Sequence, residues 1–120
     1  MKILLDHNLP RGLRKFLSGH EVKTAREMGW DTLKNGVLIA TAARAGFQAF
    51  LGIDKNLRFE QNLDLLPLPV VVLECISNAL PTLIPVAPHV SSLLSAPLDN
   101  CLYIVSADGR VQRVSATRGP

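Results

Sequence analysis

Apolar residues fall in short blocks along the chain, separated by polar loops. In the first block three apolar residues run straight into an acid, Lys2-Ile3-Leu4-Leu5-Asp6, which predicts a buried strand ending at a carboxylate. The spacing then lengthens. Leu9, Leu13, Phe16 and Leu17 fall on one helical face, with Arg11, Arg14 and Lys15 on the other. Asn8 suits the cap of that helix and Pro10 its first turn, and Ser18-Gly19 ends it. Glu21 to Thr24 is a short strand, and Ala25 to Met28 one helical turn closed by Gly29. After the polar loop from Trp30 to Gly36, Val37 to Ala45 predicts an alanine-rich helix, with Gly46 as its stop. Phe47 to Ile53 is the third strand, and Asn56 to Asn62 a turn with a short helix. Pro67 to Glu74, carrying V-V-V-L-E, is a fully buried strand. Asn78 to Leu94 is helical by composition but broken by Pro81, Pro85 and Pro88. The last block, L-Y-I-V-S then A-D-G then R-V-Q-R-V-S, predicts a β-hairpin turning at Asp108-Gly109.

Strands alternating with helical segments imply an α/β fold: a short parallel sheet, doubly wound, with strand order 2-1-3-4. The expected organisation is an α/β domain over residues 1–97 and a C-terminal β-hairpin extension over 98–120. At 120 residues, 48% hydrophobic and 19% charged, the chain suits one globular core and not a disordered one. Its net charge of +3 is compatible with a nucleic-acid partner. The apolar runs are too short to span a membrane, and the first reaches Asp6 too early for a signal peptide. Cys75 and Cys101 lack metal spacing and read as reduced core thiols, so a cytoplasmic protein without membrane association is expected.

Two of the predicted strands end in aspartate, Asp6 and Asp54. In open α/β sheets the ligand crevice lies beyond the carboxyl ends of the strands, where strand order reverses. With order 2-1-3-4 that point falls between these two strands, about 4.8 Å apart. Two carboxylates there could hold Mg2+ or Mn2+, an ion that keeps several waters and takes further oxygens from substrate phosphates. The plain alternative is that each aspartate caps a turn. Arg11, Arg14, Lys34, Lys55 and Arg58 follow the strand ends and would neutralise phosphates, or would simply be solvated charges. His7 neighbours Asp6, but alternation along a strand would aim it away.

The segments LLDHNLPRGLRKFLSGHEVKTAREMGW, LKNG and GFQAFLGIDKNLRFEQNL carry the motifs D-x-N-L-P, G-W-x-x-L-x-N-G and D-x-N-L-x-x-x-Q-N-L. Over residues 1–76 the chain resembles the PIN-like proteins of the DUF5615 type, small bacterial predicted nucleases, several of them related to toxin components of toxin–antitoxin pairs. The resemblance implies a PIN-like three-layer fold and a metal-dependent ribonuclease that acts on RNA and pairs with an antitoxin protein. Asp6 and Asp54 would be the metal ligands, with Asn8, Asn35 and Arg58 as supporting polar groups. Three positions depart from the pattern. His7 stands where many relatives have Glu, Val37 where many carry an acid, and Gly52-Ile53 where a threonine near the acid is common. Only two acids are well placed, and Glu27 and Asp31 are the nearest spare ones.

Three readings follow. One is a Mg2+- or Mn2+-dependent endoribonuclease with Asp6, Asp54, Asn8 and Asn35 at its centre. The second is a catalytically inactive module on the same scaffold, binding RNA or a partner protein. The third, a receiver-like signalling domain, is disfavoured because the first strand is not followed by paired acids. The hairpin edge is also expected to pair with a second copy as a homodimer.

Overall fold

The computed structural model describes residues 1–114. The fold is mixed α/β, built on one six-stranded, mostly parallel sheet. Its strands are β1 (Lys2–Leu5), β2 (Glu21–Thr24), β3 (Ala49–Gly52), β4 (Val70–Glu74), β5 (Leu102–Ser106) and β6 (Val111–Val114). A 3-10 helix spans Arg11–Phe16, and the α-helices are α1 (Asn35–Arg44), α2 (Leu57–Glu60), α3 (Leu80–Leu83) and α4 (Ala87–Leu94). The sheet order is β2-β1-β3-β4-β5-β6; β1 to β5 run parallel and β6 antiparallel to β5.

The segment expected as an extension beyond residue 97 is continuous with this sheet. β5 pairs with β4 along its whole length, from Val70↔Leu102 to Glu74↔Ser106. A parallel neighbour needs a long crossover, and α3 and α4 supply it. The turn at Asp108-Gly109 then returns β6 against β5 as the sequence pattern predicts, with Gly109 at φ +90°. Residues 115–120 of the predicted extension lie outside the described residues.

Side chains alternate across the sheet and divide the core in two. On one face Ile3, Leu5, Leu51, Val71, Leu73 and Val105 pack with Leu13 of the 3-10 helix, Leu17 just after it, and Leu83, Val90 and Leu94 from α3 and α4. On the other, Leu4, Phe50, Val70, Val72, Leu102 and Ile104 pack with Leu38, Ile39 and Ala42 of α1 and with Leu57 of α2. No helix among the described residues is long and apolar enough to cross a membrane.

Two local expectations change. The first helix is a 3-10 segment led by Pro10, with no side-chain cap, so Asn8 does not cap it. Gly12 explains the tight approach, because a Cβ there would lie 3.0 Å from Leu80 Cδ2 of α3. Residues 25–28 form turns, not a helical turn. They close through Gly29 N–H to Arg26 O and Trp30 N–H to Ala25 O, 3.0 and 2.9 Å.

Candidate functional site

Parallel pairing sends the ends of β1 to β5 to one edge, and β1 and β3 are direct neighbours there. Asp6 is the first residue beyond β1. Its backbone N–H donates to Leu51 O at 2.9 Å, so the ladder to β3 carries it into the interior. The side chain is fully buried. Oδ1 accepts the His7 backbone N–H at 2.8 Å, whereas Oδ2 is buried with no hydrogen-bond partner. Gly52 of β3 leaves room beside that oxygen, since a Cβ at residue 52 would lie 3.7 Å from Asp6 Oδ2. Burial pushes the Asp6 carboxyl up from its ordinary value; His7, by charge and backbone hydrogen bond, pulls it partly back, and Asp54 pushes it up again.

Asp54 follows β3 at the same edge and is half-buried. Its Oδ1 accepts the Asn56 N–H at 2.9 Å and its carbonyl accepts Leu57 N–H at 3.2 Å, starting α2. Both aspartates therefore cap their own turns, as the plain reading anticipates, but Asp6 retains an oxygen that no turn uses. No group of three or more His, Cys, Asp or Glu residues able to hold a metal exists among the described residues. The acids stop at two. An unpaired buried oxygen beside a second carboxylate fits Mg2+ or Mn2+ keeping most of its waters, and it does not fit a dehydrated ion that needs a full protein cage.

His7 folds back against expectation. β1 ends at Leu5, so strand alternation no longer governs residue 7. Its Nε2 lies 3.6 Å from Asp6 Oδ1, and its Nδ1 lies 3.2 Å from Asn8 Oδ1. The Asn8 carbonyl also accepts from Asn78 Nδ2 at 2.9 Å, tying the loop after β4 to the loop after β1.

The basic residues divide. Arg11 lines a cleft of about 710 Å³ with His7, Leu9, Thr24, Arg26, Glu27 and Asp31, on the β2 side of Asp6. Lys55 and Arg58 line a separate pocket of about 200 Å³ on the β4 and β5 side. Arg14 is held away from phosphate duty, because its Nη2 donates to Glu27 Oε1 at 2.6 Å. Glu27 also accepts Thr24 N–H at 3.0 Å. That backbone hydrogen bond first, and the Arg14 guanidinium next, hold its carboxyl down to about 2. Glu27 is thereby committed to the turn and supplies no third ligand. Lys34 and Asn35 sit at the start of α1 and line neither cavity. The structure does not bring Asn35 to the acid pair; its neighbour Gly36 faces the Gln61 side chain, which would lie 3.4 Å from a Cβ at residue 36.

Thr24, Arg26 and Asn78 also belong to this edge, although no motif in the sequence marks them. Thr24 ends β2 and Asn78 follows β4, so the strand-end rule that selects Asp6 and Asp54 would have reached both. No family model, curated protein or solved structure matches this chain.

Proposed function

We propose that the chain is a PIN-like endoribonuclease dependent on Mg2+ or Mn2+, acting as the toxin of a bacterial toxin–antitoxin pair. The observation that carries the reading is Asp6 Oδ2, a fully buried carboxylate oxygen without a partner at the switch point of a parallel sheet, beside Asp54. Leaving such an oxygen unpaired costs stability that folding alone does not require. A divalent ion would offset that cost, and when bound would lower the pKa of a water and stabilise charge on a leaving oxygen. Asp6 and Asp54 would hold it. His7 and Asn8 stand beside Asp6, while Arg11 and Arg26 flank it on one side and Lys55 and Arg58 on the other, where phosphates would be drawn.

The resemblance in residues 1–76 supplies the PIN-like designation, the RNA substrate and the antitoxin partner. Two unpaired cysteines accord with a cytoplasmic setting. Among the described residues β6 is an edge strand, the position through which a homodimer would extend the sheet. The two-acid limit favours one other reading, a catalytically inactive PIN-like module that binds RNA or a partner protein. Incubation with end-labelled single-stranded RNA in Mn2+ and then in EDTA separates them. Cleavage that chelation abolishes is expected; RNA left intact in Mn2+ at high protein concentration would leave the binding module.

A further inference from the structure

The 200 Å³ pocket next to α2 has a composition that the acid pair does not explain. Its floor is Val72 and Ile104, apolar residues from the two parallel strands β4 and β5. One wall is Phe59, 78% exposed although it is a large aromatic residue on a four-residue helix. The Arg58 guanidinium lies 5.1 Å from the centre of the Phe59 ring. Lys55 and Glu74 complete the rim. Among the described residues none of Lys55, Arg58 and Glu74 is engaged in an ion pair. An exposed ring with a guanidinium beside it, an apolar floor, a lysine and a carboxylate, the charged groups all outside any ion pair among the described residues, thus surround a space of small-ring size.

We infer that this pocket is a nucleobase subsite for single-stranded RNA, selective for a base that carries an exocyclic amine. The inference rests on the ribonuclease reading. Phe59 offers a π-face for stacking. Glu74 is an acceptor for an amine such as cytosine N4–H, which uracil lacks. Lys55 and Arg58 hold the phosphates on either side of the base. Lys55 is the residue after Asp54, and β3 and β4 are adjacent strands. The subsite therefore lies about one or two strand spacings, roughly 5–10 Å, from the acid pair. A stacked strand advances about 3.4 Å per nucleotide, which places the captured base on the order of two or three nucleotides from the scissile bond. Duplex RNA keeps its bases stacked on each other and cannot present one to Phe59. A protein helix would need a longer groove than this pocket provides.

Fluorescence anisotropy in EDTA, with fluorescein-labelled eight-nucleotide 2′-O-methyl oligo(C) and oligo(U), tests this without cleavage. Wild type is expected to bind oligo(C) several-fold more tightly than oligo(U). Phe59→Ala should weaken oligo(C) binding by about five- to a hundredfold, the range for loss of one stacking ring. Glu74→Gln should remove most of the preference for oligo(C). Phe59 is exposed, so its alanine variant keeps the fold, checked by an unchanged melting temperature. Equal affinity of wild type and Phe59→Ala would overturn the subsite, while Mn2+-dependent cleavage by both would leave the ribonuclease standing. Failure of wild type to bind either probe would also overturn it and leave the Phe59 face to a protein partner. Cleavage assayed on the same sample then decides separately whether the nuclease reading falls.

Discussion

Asp6→Asn should make the protein more stable at neutral pH while removing its proposed activity. The carboxylate is fully buried, one oxygen accepts a single hydrogen bond and the other accepts none. An unsatisfied buried polar group costs about 1–3 kcal/mol, and more when charged. Asparagine keeps the Oδ1 acceptor for His7 N–H and removes the charge, but its amide nitrogen inherits the unpaired position. The net gain is then about 1–2 kcal/mol, part of the full penalty. For a domain of this size that corresponds to a rise in melting temperature of roughly 3–12 °C. The pH dependence gives the sharper test. Burial raises the Asp6 carboxyl in the folded protein above its ordinary 3.8. Between 3.8 and the raised value the folded state binds the proton more tightly, so wild-type stability falls as pH rises through that window. Below it the acid is neutral in both states, and the advantage of asparagine should shrink toward zero. Thermal unfolding followed by circular dichroism at about pH 3 and pH 7 reads both effects. A less stable Asp6→Asn at neutral pH, or a gain of equal size at both pH values, would refute the claim that residue 6 is a buried carboxylate with one unpartnered oxygen.

Other expectations follow from the same contacts. Glu27→Gln should destabilise the protein at neutral pH. The Glu27 carboxyl is held down to about 2, so its contribution is present above the ordinary 4.5 and lost as pH falls toward 2. Paired melts of wild type and variant across that range should converge at the acid end. Gly109→Ala should cost about 1–2 kcal/mol from its left-handed backbone alone, with more from His89, whose Cε1 lies 2.6 Å from the added Cβ. Urea unfolding in wild-type and His89→Ala backgrounds should show the second contribution vanish and the first persist. Truncation before Asn100 should yield an unfolded or aggregated chain, because it removes the parallel strand that covers β4. A soluble, cooperatively melting fragment would contradict the placement of β5 in the main sheet.

Much of this architecture is legible in the sequence because burial and alternation coincide. V-V-V-L-E, short and β-branched, reads as a strand covered on both faces, and Asp108-Gly109 specifies its turn directly. The broken helix over 78–94 follows from its prolines, which appear early in both α3 and α4. What escaped notice depends on contacts between distant residues. Nothing local in R-G-L-R-K-F announces a 3-10 helix, or that Gly12 lies close against Leu80 of α3, 68 residues further along. L-Y-I-V-S reads equally well as half of an isolated hairpin and as a central parallel strand, and only its pairing with β4 separates the two. The same holds at the candidate site. Strand-end position picks out Asp6 and Asp54, but not that Arg14 is captured by Glu27 or that His7 turns back beyond the end of β1. Proximity in sequence placed the five basic residues in one group, and the strand order divides Arg11 from Lys55 and Arg58.

Calorimetric titration of Mn2+ and Mg2+ into wild type and into Asp6→Asn/Asp54→Asn, with RNA cleavage assayed on the same samples, tests the central claim most directly. The account predicts a divalent-ion site and RNA cleavage in wild type, both absent from the double variant, whose fold melts at the same or a higher temperature. Wild type that binds neither ion and leaves RNA intact would contradict it, and would mean that the unpaired oxygen of Asp6 serves no metal-dependent nuclease.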